Sequence, residues 1–246
     1  MTYWARLTWQ VPDPDAAAVA LARRLGTGSV PGGLVPGARL VLLGSAALEL
    51  RPWQREAPGD RPRASGRLVY EPVPGGEPPP AVVSAAGSPM VLIGVGWATV
   101  DLDRAEAELD PWLAPPDVER IATDAWTGVT HGLEEPHLGA RARVRGAGGL
   151  PAGHVVLLEP TTEGRLAASL ARDGEGPCAL YLEPAEGFVA WRAAARARGL
   201  PMSTVRRGPL GDAVLVIGGA VAGPHLLVVD PSGPVIGTLA GGTIAP

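Results

Sequence analysis

The 246-residue chain contains no lysine and no asparagine, and only one cysteine and one phenylalanine. A lone Cys178 excludes an internal disulfide framework and fits a reducing cytoplasm. The opening MTYWARLTWQ has no apolar signal core, and no run approaches the ~18 apolar residues of a membrane helix. The expectation is a cytoplasmic protein with no membrane partner. With lysine absent, all of its Lys+Arg complement of 21 is arginine, set against 25 acids for a net charge of −4. These arginines are scattered rather than striped, which argues against a nucleic-acid partner. The glycine-rich GTGSVPGG (26–33) lacks the lysine of a phosphate loop, and no Gly-x-Ser-x-Gly elbow occurs. Together these absences leave a globular protein without an obvious nucleotide or serine-hydrolase motif.

What is present is a repeat. A strand-like run bracketed by glycines seven apart occurs as GARLVLLG (37–44), GARARVRG (139–146) and GDAVLVIG (211–218). Each is followed by a second strand closing on proline: AALELRP (46–52), HVVLLEP (154–160) and HLLVVDP (225–231). Upstream of each, a strand runs into an acidic helix start, in 6–26, 94–109 and 178–199. Asp13, Asp15, Asp101, Asp103 and Glu186 stand where they cap free N–H groups and oppose the helix dipole. Gly26 and Gly199 sit where left-handed C-terminal caps belong, and Ala17, Leu21 and Leu25 mark a buried stripe. With a short strand in the connection, each unit is a βαβββ module. The fold class expected is α+β, with three such modules forming curved mixed sheets and helices on the outer face.

The first module spans 1–53 and a Pro/Gly-rich linker follows at 54–90, where GRLVYEPV reads as an extra edge strand. The remaining 91–246 holds two paired modules, 91–170 and 171–246. The connection from Pro111 to Leu138 carries no assignable pattern. Three modules leave one unpaired. Either the first pairs with its counterpart in a second chain, which makes a homodimer the favoured partner, or the linker strand stands in for a degenerate fourth.

The stretches GWATVDLDRAEAEL, LGARARV with VVLLEPTTEGRLAASLAR, LGSAALELRPW, and ALYLEPAEGFVAWRAAARARG with HLLVVDPSGPVIG resemble the vicinal oxygen chelate superfamily. That superfamily includes glyoxalase I, bleomycin-resistance proteins and extradiol dioxygenases. The resemblance implies paired modules enclosing a cup, and in many members a divalent metal held by a His or Glu from each first strand and a Glu or His from each last. Taken from the helix start, the first-strand position falls on Arg6, Gly94 and Pro177; taken from the closing proline, the last-strand position falls on Glu49, Leu157 and Val228. Only Glu49 is a ligand type, and one carboxylate does not make a metal site. No metal and no other cofactor is expected.

Other constellations are weaker. His154 and His225, 71 positions apart, each lie three residues before the last-strand position, so strand alternation turns them from the cup if Leu157 and Val228 face it. HGLEEPH (131–137) gathers His131, Glu134, Glu135 and His137 in one loop without the helical spacing of a zinc site. Cys178 reads as a packed small hydrophobe, and the seven tryptophans sit in aliphatic company.

The first module carries the sharper expectation. In RLTWQV, alternation puts Leu7, Trp9 and Val11 on one face and Arg6, Thr8 and Gln10 on the other. In ALELR it puts Leu48 and Leu50 opposite Ala47, Glu49 and Arg51. Arg6 would supply a fixed positive charge where relatives hold metal, with Glu49 as its partner, a pairing suited to a planar anion. Between the second and third modules, Gly94, Gly96, Ala98, Val155, Leu157, Ala179, Tyr181, Leu226 and Val228 would line an apolar cup with one phenol. The ligand-binding set expected is Arg6, Thr8, Gln10, Glu49, Arg51 and Tyr181, with no catalytic residue assigned. The leading function is binding of a small organic molecule without metal, as bleomycin-resistance relatives do. The alternatives are a metal-dependent lyase, isomerase or dioxygenase using Glu49 and the 131–137 segment, and an interaction module whose cup is filled.

Overall fold

Three copies of the βαβββ unit build the protein. A computed structural model describes residues 4–32, 36–44, 46–52, 68–73, 88–113, 130–146, 153–217 and 224–232. The first module runs β1 (Trp4–Val11), α1 (Pro14–Leu25), β2 (Ser29–Pro31), β3 (Arg39–Leu43) and β4 (Ala46–Pro52). The linker strand β5 (Leu68–Val73) follows. The second module is β6 (Met90–Ala98), α2 (Leu102–Leu113), β7 (Thr130–Glu135), β8 (Ala140–Gly146) and β9 (His154–Pro160). A helix absent from the sequence reading, α3 (Arg165–Asp173), leads to the third: β10 (Gly176–Pro184), α4 (Phe188–Ala197), β11 (Arg206–Gly208), β12 (Gly211–Leu215) and β13 (His225–Asp230). Residues 54–67 and 74–87 of the linker and residues 114–129 of the unassigned connection lie outside the described residues.

Two sheets result. The smaller has the order β2-β3-β4-β1-β5 and the larger β11-β12-β13-β10-β6-β9-β8-β7. In every module the first and last strands run parallel and the others antiparallel, so the three units share one topology. The second and third modules join through their first strands, β6 antiparallel to β10. In the smaller sheet β5 takes the corresponding place, antiparallel to β1 with Arg6 opposite Glu71 and Thr8 opposite Val69. The linker strand therefore fills the edge of β1 through which a second chain's first module would pair.

The helices form for the reasons their sequences give. Asp13 caps α1, its side chain accepting from the Ala16 N–H at 3.0 Å, and Pro14 occupies the first turn, where its missing N–H costs nothing. Asp101 does the same for α2, accepting from the Arg104 N–H at 3.0 Å. Glu186 does not: α4 is preceded by Gly187 with no side-chain cap. The tight turn that leads β10 into α4 puts a glycine, not the acid, at the cap position. Gly26 and Gly199 both adopt the left-handed conformation, φ +71°, that ends a helix without a Cβ clash.

The outward faces of the sheets share one core. Leu7, Trp9, Val11, Leu48 and Leu50 meet Ala18, Leu21 and Leu25 of α1, and the same cluster takes in Leu180, Leu182, Val228, Phe188 and Trp191 of the third module. Burying each Leu of α1 is worth roughly 1.5–3 kcal/mol, so α1 holds the smaller sheet against the larger. A small separate cluster of Leu102, Ala105, Val155 and Leu157 seats α2. No described helix is long and apolar enough to cross a membrane.

Candidate functional site

The other face of the smaller sheet is polar, as the alternation in β1 and β4 requires. The parallel register sets Thr8 opposite Glu49 and Gln10 opposite Arg51. Leu40, opposite Glu49 on β3, supplies the apolar wall. Glu49 is fully buried and pairs with Arg51 Nη2 through Oε2 at 3.1 Å, while the Arg51 side chain keeps 21% of its surface. Two residues further along the strands, this face thus passes from a closed end, Thr8 and Glu49, to an end open to solvent, Gln10 and Arg51. Among the described residues five buried side-chain polar atoms have no hydrogen-bond partner, and two of them, Thr8 Oγ1 and Arg51 Nε, lie on this face. A buried hydroxyl or N–H left unpaired costs about 1–3 kcal/mol, so two here mark a surface not complete in itself. The β1 backbone carries Arg6 on this face, in register with Ala47. Its side chain lies outside the described residues.

The cup between the second and third modules is filled. Its lining includes Ala98, Ala142, Val156, Leu158, Ala179, Tyr181, Leu227 and Val229. Leu138 from the β7–β8 turn and Leu210 from the β11–β12 turn fold in from opposite sides, 2% and 6% exposed. Gly94 and Gly96 leave the space expected of them, and that space is taken: a Cβ on Gly94 would lie 2.8 Å from Leu210 Cδ1, and one on Gly96 2.8 Å from the Ala179 Cβ. The edge strands β7 and β11 come back into contact, so the eight strands nearly close a barrel. Arg206 Nη1 donates to the Pro136 carbonyl at 3.4 Å across that seam, and His137 Nε2 bonds the Ala213 carbonyl at 3.0 Å. At one end α3 covers the opening with Leu166.

Which residues line this cup corrects the sequence reading. Leu157 and Val155 pack under α2, and Val228 and Leu226 join the core under α4. All four face the helices. Val156 and Leu227 face inward instead, and so do His154 and His225, which share their parity. The later modules carry an acid, Glu159 or Asp230, at the strand position that Pro52 fills in the first. Counting back from the closing proline therefore slips by one residue, and one residue turns every side chain over. The histidines are nevertheless occupied. His154 Nδ1 lies 3.0 Å from the Ile93 carbonyl, and His225 Nε2 lies 3.1 Å from Ser169 Oγ of α3. Burial, reinforced by Arg165 and Arg172, pulls His225 down to about 4.

The 131–137 segment is a strand and turn, not a loop. Within β7, Leu133 and Glu135 point inward and Glu134 outward. The sequence reading set Glu135 in a loop beside Glu134; alternation singles it out as the inward one once Thr130–Glu135 is taken as a strand. Its carboxylate is fully buried, accepting from the Tyr181 hydroxyl through Oε2 at 3.1 Å and from the His137 N–H through Oε1 at 3.1 Å. Burial outweighs both hydrogen bonds and lifts its pKa to about 7. Tyr181 is thus committed to an internal pair on the larger sheet, apart from the polar face of the smaller one. The side chain of His131 lies outside the described residues. Burial also pushes the Cys178 thiol up to about 12, which leaves it no thiolate at neutral pH.

No protein family matches the sequence, and no curated protein does either. Solved structures do. A triple mutant of 4-hydroxymandelate synthase from Streptomyces coelicolor superposes with a TM-score of 0.60 at 14% identity, over 92% of this chain and 91% of that one. The vicinal oxygen chelate fold is the fold of this chain. Methylmalonyl-CoA epimerase from Mycobacterium tuberculosis is similar over 57% of this chain and 87% of its own, at 23% identity and a TM-score of 0.42. An epimerase from Streptomyces coelicolor, in complex with 2-nitronate-propionyl-CoA, gives 0.38 at 22% identity, over 56% of this chain and 96% of that one.

The metal that the vicinal oxygen chelate fold implies does not fit the residues present. On the larger sheet most inward positions of the first and last strands, such as Gly94, Gly96, Val156, Ala179 and Leu227, cannot ligate, and the three that could are engaged: His154 with the Ile93 carbonyl, His225 with Ser169 Oγ and Tyr181 with Glu135. Glu49 lies on one sheet and the 131–137 segment at the far edge of the other. Among the described residues no group of three His, Cys, Asp or Glu side chains converges.

Proposed function

We propose that this chain binds a small organic acid on the polar face of its first module, through Thr8, Glu49 and Arg51 with Gln10 at the entrance, and that it does so without the metal usual for its fold. The observation carrying this reading is the buried, unpartnered Thr8 hydroxyl beside the unpartnered Arg51 Nε. A carboxylate suits the free N–H of Arg51. A ligand hydroxyl would donate to Glu49 and bond Thr8. Arg6 is proposed as a second cation, a reading supported by the backbone register of β1 with β4. The filled barrel of the second and third modules serves as the body that holds this face in shape. Binding rather than turnover is proposed.

The test reads the free protein first. If Thr8 Oγ1 is unpaired, Thr8→Val removes an unsatisfied hydroxyl at nearly constant shape and raises stability by about 1 kcal/mol in urea unfolding. A loss of that size refutes the reading. Hydroxycarboxylates such as glycolate, lactate and malate are then screened for saturable thermal stabilisation. Any stabilisation found should disappear in Thr8→Val and Arg51→Gln.

A further inference from the structure

We propose that the cleft between the C-terminal ends of α1 and α4 is a second binding site, for a small organic phosphate. It lies on the helix side of the smaller sheet, behind the polar face, and does not depend on the reading given for that face. The cleft encloses about 530 Å³ and is lined by Ala20, Arg23, Arg24, Arg198, Gly199, Leu200 and Pro201.

Three guanidinium groups meet there, and the usual reasons for arginine at a helix end do not account for them. None of the three forms an ion pair among the described residues. No acid stands three or four residues from any of them on α1 or α4. The acid of α1, Asp15, sits in the first turn and is held by Arg39. The terminal carbonyls do not recruit them either. The Ala22 carbonyl accepts from the Gly26 and Thr27 N–H groups, that of Ala194 from Arg198, and that of Ala195 from Leu200. The helix dipoles do favour cations here. Two C-termini carry about −0.5 each, which leaves three full positive charges in excess by roughly two.

That excess matches a phosphate monoester, which carries about −1.5 to −2 near neutral pH. Three planar forks suit its three free oxygens better than a single carboxylate. Ala20, Leu200 and Pro201 supply an apolar wall for the organic body. The geometry is fixed by the two left-handed glycines. Each turns the chain out of its helix beside the cleft, and the Arg198 guanidinium reaches from the end of α4 to the end of α1. Arg198 Nη2 is 3.5 Å from where a Gly26 Cβ would stand. Burial pulls the Arg24 guanidinium below its ordinary value with no carboxylate to oppose it.

Phenyl phosphate is the probe. Titration calorimetry at constant ionic strength should show saturable binding, tighter than for inorganic phosphate. Arg24→Gln with Arg198→Gln should weaken it by about tenfold or more, as expected for loss of charged hydrogen bonds. Arg141→Gln, which removes an arginine paired to Glu159 elsewhere, and Thr8→Val should leave it unchanged. If the double variant misfolds by circular dichroism, Arg198→Gln alone decides, since that side chain is exposed. The proposal is overturned if sodium chloride reproduces the effect, if binding survives the double variant, or if Arg141→Gln weakens binding equally. Binding of long DNA without saturable phenyl phosphate binding would also overturn it.

Discussion

Glu135→Gln should flatten the dependence of stability on pH. The wild-type carboxyl is fully buried on the inner face of β7, held among the described residues by the Tyr181 hydroxyl and the His137 N–H. Desolvation lifts its pKa from 4.5 to about 7. An acid raised on folding keeps its proton in the native state over a range where the unfolded chain has lost it. Its contribution is therefore complete below about pH 4.5 and disappears as pH rises to about 7. A gap of roughly 2.5 pH units at about 1.4 kcal/mol each comes to roughly 3 kcal/mol. Glutamine keeps a carbonyl for the tyrosine and does not titrate. The experiment is urea unfolding of both proteins, followed by tryptophan fluorescence, at intervals from pH 4.5 to 8. The difference in stability should move in favour of the variant by roughly 3 kcal/mol across that range. A constant offset from glutamine's shape does not affect this slope, nor do other titrating groups common to both proteins. Parallel curves would refute the account of Glu135 as a carboxyl penalised by its burial.

His225 gives the opposite limb. Its pKa falls to about 4 in the fold, so stability should be lost as pH drops from about 6.5 towards 4, and His225→Gln should remove that loss in acid unfolding curves. Gly96→Ala should destabilise more than Gly94→Ala by thermal unfolding, with overpacking of about 1–3 kcal/mol at Gly96. The added methyl at 96 meets the Ala179 Cβ on a neighbouring strand, whereas at 94 it meets the movable tip of Leu210. Equal effects would contradict the packing described for the cup.

The module order was legible because its signals are local. Glycines at the ends of β3, β8 and β12, acids before α1 and α2, and alternation in RLTWQV each follow from a few neighbouring residues. The same alternation placed Thr8, Gln10, Glu49 and Arg51 on one face. What misled was an assumption carried between modules. The closing proline looks equivalent in all three, yet Leu157 and Val228 face the helices because the later strands reach their proline one residue further on. The filling of the cup was hidden for another reason. Leu138 and Leu210 stand in turns, where sequence periodicity says nothing about direction, and only the curling of the larger sheet brings both inside. The burial of Glu135 was hidden because HGLEEPH has the composition of a loop, while its strand character comes from pairing with β8.

β5 gives the first module a property that its own sequence lacks. An exposed first strand is adhesive: its unpaired N–H and C=O groups would recruit any passing strand, including one from another copy of the chain. In the larger sheet a whole module is spent on covering that edge. Here the six residues Leu68–Val73 do so from within the same chain, and the proline among them, Pro72, has no N–H to offer a further strand. The linker is thus a stopper, and the length of sequence that separates the two sheets is also what keeps the smaller one from growing.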